Sequence, residues 1–344
     1  MVETDLDERE ETTVSMGKMK IYATMKPAPA LLDRLQSACE VSYWDGEEAT
    51  PHAVLLRDAA EAEATVGHYH WTAELMDKLP KLRLIANVGV GVDHVDVPAA
   101  TARGIIVTNT PDVLTDTTAD LTFTLLMSTA RRVTEADRFI RARRWRPDGE
   151  DSTFLGRDVH HATLGIVGLG RIGSAVAERG ALGFKMKVLY YDVVRREDLE
   201  QKFGYQFVDL DTLLAESDFV SLHMPSLPST YHMIGAAQLA MMKPTAILVN
   251  AGRGALVDEK ALIAALKEGS IAGAGLDVFE QEPTDPDNPL FKMENVVVAP
   301  HIGSATAATR YGMAQLGVEN VVSFALGKGP LTPFNPEVLS NLKK

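Results

Sequence analysis

Three glycines near the middle of the chain have a spacing suited to the phosphates of a dinucleotide. Gly168, Gly170 and Gly173 form the pattern G-x-G-x-x-G. In such a turn the first glycine permits a tight bend, the second lets backbone approach a pyrophosphate, and the third lets the next helix pack closely. The pattern alone is weak, because glycine pairs also occur in ordinary loops. Here an apolar run over 163–167 precedes it and a helical pattern over 171–183 follows it, which predicts a dinucleotide site.

An acidic residue stands at the end of the next predicted strand, Lys187–Tyr191. Asp192 lies 19 residues beyond Gly173, where a carboxylate can accept the ribose hydroxyls. A carboxylate also repels a 2′-phosphate, so this position favours NAD(H). Arg195 and Arg196 follow within reach of a 2′-phosphate, so NADP(H) stays an open alternative.

Reactive side chains also stand at the ends of three later predicted strands. Arg253 lies between two glycines after a strand, several acids fill 275–283, and His301 lies between a strand and a helix start. Ligands of open α/β sheets bind at the carboxyl ends of the strands. The planar fork of arginine suits a carboxylate or a polarised carbonyl. Each residue alone could be structural, but together they predict one site that combines arginine, carboxylate and imidazole.

The elements that must position these residues alternate between apolar runs and helical patterns. Before the glycine turn we predict strands at 20–23, 53–56, 82–86 and 104–107, and helices at 29–38, 71–79, 97–103 and 118–144, the last capped by Thr117 or Thr118. After Asp192 we predict strands at 206–208, 218–222, 246–250, 271–277 and 295–299, and helices at 195–203, 209–216, 236–242, 258–268 and 305–327. This rhythm is typical of mainly parallel sheets covered on both faces.

The length of 344 residues predicts two domains, because single cores rarely grow beyond about 250–300 residues. We predict an α/β fold with two Rossmann-like or flavodoxin-like, doubly wound parallel-sheet domains. A nucleotide domain at 118–304 is inserted in a discontinuous substrate domain made of 19–117 and 305–344. Residues 1–18 are expected to be a disordered acidic tail.

The composition excludes several classes of function. Hydrophobic residues make up 46% and charged residues 24%, as in an ordinary globular protein, and the net charge of −13 argues against nucleic-acid binding. The single cysteine, Cys39, fits a reducing cytoplasm, and we expect no membrane span and no signal peptide. We expect no metal, because His68 and His70 lack a third ligand. A cluster of arginines predicts a solvated or subunit-contacting helix face: Arg131, Arg132, Arg138, Arg141, Arg143, Arg144 and Arg146.

Four motifs in this order resemble the D-isomer-specific 2-hydroxyacid dehydrogenases, and within them the glyoxylate/hydroxypyruvate reductase branch. They are G-x-G-x-x-G, N-x-G-R-G from Asn250, D-V-F-x-x-E-P from Asp277 and P-H-I-G-S-A from Pro300. The resemblance covers roughly residues 19–340, including the segments 87–93 and 108–111.

The resemblance implies a role for each candidate. Arg253 would bind a 2-oxoacid and polarise its carbonyl, and His301 would be the general acid. Glu282 would pair with His301 and keep it protonated near neutral pH, with Glu280 as the competing choice. The substrate is expected to contact Leu56, Val88, Gly89, Arg253 and His301. The cofactor is expected to contact Thr115, Gly168, Gly170, Arg171, Ile172, Gly173, Asp192, Arg195, His223, Pro225, Asn250, Ala251, Asp277 and Gly303.

The resemblance therefore implies NAD(P)H-dependent reduction of glyoxylate and hydroxypyruvate to D-2-hydroxyacids by a homodimer, with NAD(H) favoured. Alternatives within the family are a 2-ketogluconate reductase or another D-2-hydroxyacid dehydrogenase, such as a phosphoglycerate dehydrogenase without its regulatory domain. An alternative of another class is an NAD-sensing corepressor or scaffold on the same fold. Turnover of any 2-oxoacid would favour an enzyme over the corepressor or scaffold.

Overall fold

A computed structural model describes residues 17–145 and 154–340. The described residues form two compact units, one of which comprises the residues up to Thr110 and those from Ala314 onward, the other Pro111–Met313. Each unit contains one parallel sheet with helices packed on it, so the predicted fold class is confirmed. Nearly all of the predicted acidic tail lies outside the described residues.

The first unit contains a five-stranded sheet in the order β2-β1-β3-β4-β5, which is the order of flavodoxin-like folds. The strands are β1 Met19–Ala23, β2 Cys39–Tyr43, β3 Ala64–Gly67, β4 Leu84–Asn87 and β5 Ile106–Thr108. The helices are α1 Pro29–Ala38, α2 His52–Asp58, α3 Ala73–Asp77 and α4 Val97–Ala102. Both faces of the sheet are buried, since the neighbours Ile21 and Tyr22 of β1 belong to separate apolar clusters.

The strand predicted at 53–56 is wrong, because these residues lie in helix α2. Pro51 stands at the N-cap of this helix, and only Leu55 of the apolar run is buried, as one face of a helix requires. A run of four apolar residues has no periodicity that separates helix from strand. Strands β2 and β3 were not predicted: β2 alternates buried and exposed residues at the sheet edge, and β3 is short.

The second unit contains a seven-stranded sheet in the order β12-β11-β10-β9-β6-β7-β8. The strands are β6 Thr163–Val167, β7 Lys187–Tyr191, β8 Gln206–Phe207, β9 Phe219–Leu222, β10 Ile247–Asn250, β11 Gly273–Leu276 and β12 Val296–Val298. The helices are α5 Thr115–Ala130, α6 Val133–Arg141, α7 Arg171–Glu178, α8 Glu197–Phe203, α9 Leu210–Glu216, α10 Ala236–Met241 and α11 Glu259–Glu268. The strand order reverses between β6 and β9, which is where doubly wound sheets bind nucleotides.

The single helix predicted over 118–144 is wrong, because two helices, α5 and α6, occupy this region. Arg132 has a left-handed backbone with φ of +52° and interrupts the helix. The predicted cap at Thr117 or Thr118 is also wrong, since α5 already begins at Thr115 with Leu114 at its N-cap.

The last α-helix of the described residues is α12 Ala307–Ala325, and from Ala314 onward it belongs to the first unit. Its residues Val318, Val321 and Val322 pack in the same apolar cluster as Ile21. None of the described helices is both long and apolar enough to cross a lipid bilayer.

Candidate active site

The glycine turn has the shape that a bound pyrophosphate requires. Gly168 has φ of +97°, and a Cβ there would lie 2.9 Å from the backbone carbon of His223. A Cβ on Gly173 would lie 2.0 Å from the carbonyl oxygen of Gly168, whereas a Cβ on Gly170 would meet nothing within 4 Å. Two of the glycines are therefore needed by the fold, and Gly170 leaves an open space at the start of α7. The predicted contacts Arg171 and Ile172 form the first turn of this helix.

Asp192 lies directly against the glycine turn. Its Oδ2 accepts the backbone N–H of Leu169 at 2.7 Å, and its Oδ1 accepts that of Val194 at 3.0 Å. Each carboxylate oxygen has a second lone pair, so the group can still accept ribose hydroxyls. The turn and this carboxylate together fit an adenine dinucleotide.

The two arginines after Asp192 are held by different acids. Arg195 makes two hydrogen bonds of 2.9 Å to Glu200. Arg196 makes hydrogen bonds of 2.9 and 2.8 Å to Asp198, and its Nη1 lies 3.5 Å from the carbonyl oxygen of Leu169. Arg196, which the sequence placed with Arg195 within reach of a 2′-phosphate, is thus the arginine beside the glycine turn.

A histidine and a glutamate are paired at the end of the sheet. His301 follows β12 with φ of +53°, and its Nδ1 lies 2.7 Å from Oε2 of Glu282. The other oxygen of Glu282 accepts the backbone N–H of Phe279 at 2.9 Å, so both carboxylate oxygens are engaged. The competing candidate Glu280 instead accepts from Nε2 of His232 at 2.7 Å.

The charges of the pair stabilise each other. The hydrogen bond to Glu282 raises the pKa of His301 despite its partial burial, with the charges of Glu282 and Asp277 adding to this and that of Arg253 opposing it. Burial by itself would raise the pKa of Glu282, but the bonds from His301 and Phe279 and the nearby positive charges outweigh it and lower that pKa. The arrangement therefore favours the imidazolium form of His301 and the carboxylate form of Glu282.

Asp277 holds the loop that carries this histidine. It is fully buried, and its two oxygens accept the backbone N–H groups of Ile302 at 2.7 Å and Gly303 at 2.8 Å. Its carbonyl oxygen accepts the N–H of His301 at 2.8 Å. Burial raises the pKa of Asp277, while the two amides and the charge of His301 oppose the rise. Three consecutive residues of the loop thus depend on one aspartate.

Arg253 stands on a turn shaped by its neighbours. Asn250, at the end of β10, accepts the N–H of Gly252 at 3.1 Å and donates to the carbonyl of Arg253 at 2.9 Å. A Cβ on Gly254 would lie only 1.8 Å from the carbonyl oxygen of Phe279, so no other residue fits. The half-buried Arg253 is close enough to act electrostatically on both members of the histidine–glutamate pair.

The remaining predicted cofactor contacts of this unit lie at element ends. His223 follows β9, and its Nε2 is 2.8 Å from the hydroxyl of Ser221. Burial lowers the pKa of His223 to about 4, so its ring is neutral at neutral pH. Pro225 follows in the same loop, Ala251 follows β10, and Thr115 begins α5.

The predicted substrate contacts of the first unit lie on two elements. Leu56 is in α2, and Val88 and Gly89 follow β4. The side chain of Asn87 donates to the carbonyls of Gly89 at 3.2 Å and Gly91 at 3.0 Å, which fixes the turn. The sequence analysis did not predict that Asn87 stabilises this turn. An asparagine two residues before Gly89 and four before Gly91 is a signal that could have indicated it. Among the described residues, no group of three or more histidine, cysteine or acidic side chains could hold a metal.

Known proteins are similar to this chain in sequence and in fold. The family profile described as "D-isomer specific 2-hydroxyacid dehydrogenase, NAD binding domain" matches residues 123–303. The glyoxylate reductase of Korarchaeum cryptofilum is 51% identical over 324 residues, covering 94% of this chain and 97% of that protein. That of Thermococcus litoralis is 48% identical over 329 residues, covering 94% and 99%. The chain belongs to the D-isomer-specific 2-hydroxyacid dehydrogenase family.

The fold of this 2-hydroxyacid dehydrogenase is also close to a solved structure. The NADPH-dependent glyoxylate/hydroxypyruvate reductase of Sinorhizobium meliloti, in complex with NADP and malonate, has 36% sequence identity and a TM-score of 0.83. The match covers 93% of this chain and 97% of that chain. The profile match lies within the second unit, so the unit with the glycine turn is the nicotinamide-cofactor domain of an oxidoreductase.

Proposed function

We propose that the protein is a glyoxylate and hydroxypyruvate reductase that uses His301, Glu282 and Arg253 in catalysis. The observation that carries the proposal is the His301–Glu282 pair, with Nδ1 and Oε2 2.7 Å apart, in the same unit as a glycine turn shaped for a dinucleotide. The relatives named as glyoxylate reductases support the choice of substrate. The product from hydroxypyruvate would be the D-2-hydroxyacid.

Arg253, His301 and Glu282 have separate roles in the reduction of the carbonyl. Arg253 binds the 2-oxoacid with its charged fork and polarises the carbonyl. When bound, a reduced nicotinamide would supply a hydride to the carbonyl carbon. The electron pair of the carbonyl moves onto its oxygen, which takes a proton from Nε2 of His301. Glu282 holds Nδ1, so Nε2 is the nitrogen left for the substrate, and its negative charge stabilises the imidazolium before transfer.

We propose that NADH is preferred over NADPH. Asp192 at the glycine turn can accept ribose hydroxyls and would repel a 2′-phosphate. Both arginines are paired with an acid, Arg195 with Glu200 and Arg196 with Asp198. Arg196 is the candidate ligand for that phosphate because its Nη1 lies 3.5 Å from the carbonyl oxygen of Leu169 in the glycine turn.

Adjacent arginine variants test this assignment. Arg196→Gln is expected to weaken NADPH binding about tenfold, because it removes a charge-assisted hydrogen bond, while NADH binding is unchanged. Arg195→Gln should leave the ratio of the two dissociation constants as it is. The opposite pattern, measured by titration of nicotinamide fluorescence, would assign the phosphate to Arg195.

We propose that the protein is a homodimer that associates through helix α6. This helix has no buried residue and exposes Val133 and Ile140 next to its arginines, and Trp145 beyond its end is exposed as well. An exposed apolar face rimmed by charge is typical of a protein interface. Ile140→Glu is expected to convert a dimer into a monomer in analytical ultracentrifugation, and a wild-type monomer would refute the proposal.

The deciding experiment compares NADH and NADPH oxidation with four acids at matched concentrations. Fast turnover of glyoxylate and hydroxypyruvate, relative to pyruvate and 2-ketogluconate, would support the proposed function. A preference for 2-ketogluconate would favour that alternative substrate. Tight NADH binding without turnover of any acid would favour a sensor or scaffold on this fold.

A further inference from the structure

Two glutamates that are two residues apart on one loop bind two different histidines. Glu282 is bonded to His301, as described above. Glu280 accepts from Nε2 of His232 at 2.7 Å, and the hydroxyl of Tyr231 lies 3.4 Å from the same oxygen. The loop over 277–283 therefore carries one imidazole–carboxylate pair in the candidate site and a second one beside it.

The histidine of the second pair is itself held firmly. His232 has a left-handed backbone with φ of +51°, which a non-glycine residue keeps only when its surroundings enforce it. Its backbone N–H donates to the carbonyl of Ala255 at 2.8 Å, in the segment that follows Arg253. Its ring stacks on Tyr231 with centroids 3.9 Å apart. His232 thus offers the loop a fixed attachment point.

Glu280 is also held through its backbone. Its N–H lies 3.3 Å from Oε2 of Glu259, whose other oxygen accepts from the side chain of Asn288 at 2.7 Å. The turn from Phe279 to Glu282 is closed by the bond from the N–H of Phe279 to Glu282. Glu280 lies inside that turn, so whatever fixes Glu280 also limits the movement of Glu282.

We propose that His232 and Glu280 are positioning residues that keep Glu282 in hydrogen-bond contact with His301. The catalytic consequence rests on the proposed function, but the positioning itself does not. Without the second pair the turn gains freedom, Glu282 spends less time on His301, and the imidazolium loses its main support.

The charges around His301 allow a clear test. The charged groups with the largest effects on the pKa of His301 are Glu282, Asp277 and Arg253, and none of them is removed when Glu280 or His232 is replaced. A shift in the titration of His301 beyond that of a charge-matched control variant therefore indicates displacement of Glu282. The net charge is controlled by Asp287→Asn, an acid of the following loop that is 90% exposed.

The experiment follows the titration of His301 by NMR, assigned with a His301→Gln variant, together with the pH profile of kcat. Glu280→Ala is expected to lower the pKa of His301 by about half a unit to one unit and to move the alkaline limb of kcat equally. Glu280→Gln should largely restore both, because its amide oxygen still accepts from His232. Asp287→Asn should behave as the wild type, and the dissociation constant of NADH should not change in any of them.

A second variant breaks the His232–Glu280 hydrogen bond at the histidine. His232→Asn keeps a residue that tolerates a left-handed backbone, but its shorter side chain does not reach Glu280 as the imidazole does. It should reproduce the effect of Glu280→Ala, and it decides the matter if Glu280→Ala does not fold. A wild-type titration of His301 in His232→Asn would overturn the proposal. Since the NMR titration needs no substrate, absent turnover in the wild type would refute the proposed function and leave this test intact.

Discussion

Replacing Glu282 by glutamine tests the proton chemistry of the site most directly. The wild-type carboxylate accepts from His301 at 2.7 Å with one oxygen and from the N–H of Phe279 at 2.9 Å with the other. Glutamine has one oxygen and one NH₂ group, so it cannot accept both bonds. Either the NH₂ group faces the N–H of Phe279, or it faces His301, which then must be neutral at Nδ1. Both arrangements disfavour the imidazolium.

The size of the effect follows from the hydrogen bond that is lost. A hydrogen bond between charged groups contributes about 1.5–3 kcal/mol, and one pKa unit corresponds to about 1.4 kcal/mol. The side chain of His301 is 53% exposed, so solvent screens the pair and the lower end applies. We therefore expect the pKa of His301 to fall by about one unit in Glu282→Gln.

The sign of the pH effect follows from which form reacts. In the proposed mechanism reduction needs protonated His301, so activity is expected below the raised pKa of His301 and is expected to be lost as the pH rises through it. In Glu282→Gln this alkaline limb should move down by about one unit, which lowers kcat about tenfold above both pKa values and much less in mild acid. The assay is steady-state oxidation of NADH by glyoxylate across a pH series. An alkaline limb at the wild-type position would refute the assigned pairing.

Four further substitutions have distinct expected outcomes. His301→Ala should lower kcat by about 10²–10⁴-fold while NADH still binds, and near-normal kcat would exclude it as the general acid. Gly173→Ala should lower the free energy of unfolding by about 1–3 kcal/mol in urea, because its Cβ would lie 2.0 Å from a backbone oxygen of Gly168. Gly170→Ala should leave that stability unchanged but weaken NADH binding, since its Cβ enters open space; equal effects on stability would contradict the roles given to the two glycines. Asp277→Asn should lower the melting temperature, because the new NH₂ group cannot accept one of the two backbone N–H groups and leaves a buried donor unpaired at a cost of about 1–3 kcal/mol; an unchanged melting temperature would contradict this.

Much of the second unit could be predicted from sequence, because its signals are local. The glycine turn needs small residues at set positions in the chain, and each buried strand there appears as a continuous apolar run between turn residues. Short elements of the first unit were less predictable. The run at 53–56 lies in a helix of which only Leu55 is fully buried. In the second unit, the break at Arg132 interrupts a helical pattern that continues on both sides. Neither feature can be recognised from the spacing of apolar residues in the sequence.

The sequence by itself determined the α/β class, the place of the dinucleotide turn and the set of side chains available for chemistry. These follow from residue types and short spacings, which constrain the backbone within a few residues. Only the tertiary structure decided which partner each of two chemically similar side chains contacts. Glu282 rather than Glu280 lies on His301, and Arg196 rather than Arg195 lies beside the glycine turn. The members of each pair carry the same functional group and lie within two residues of each other, so their types and spacing do not distinguish them. The groups that distinguish them, such as His301 and Leu169, come from other segments of the chain.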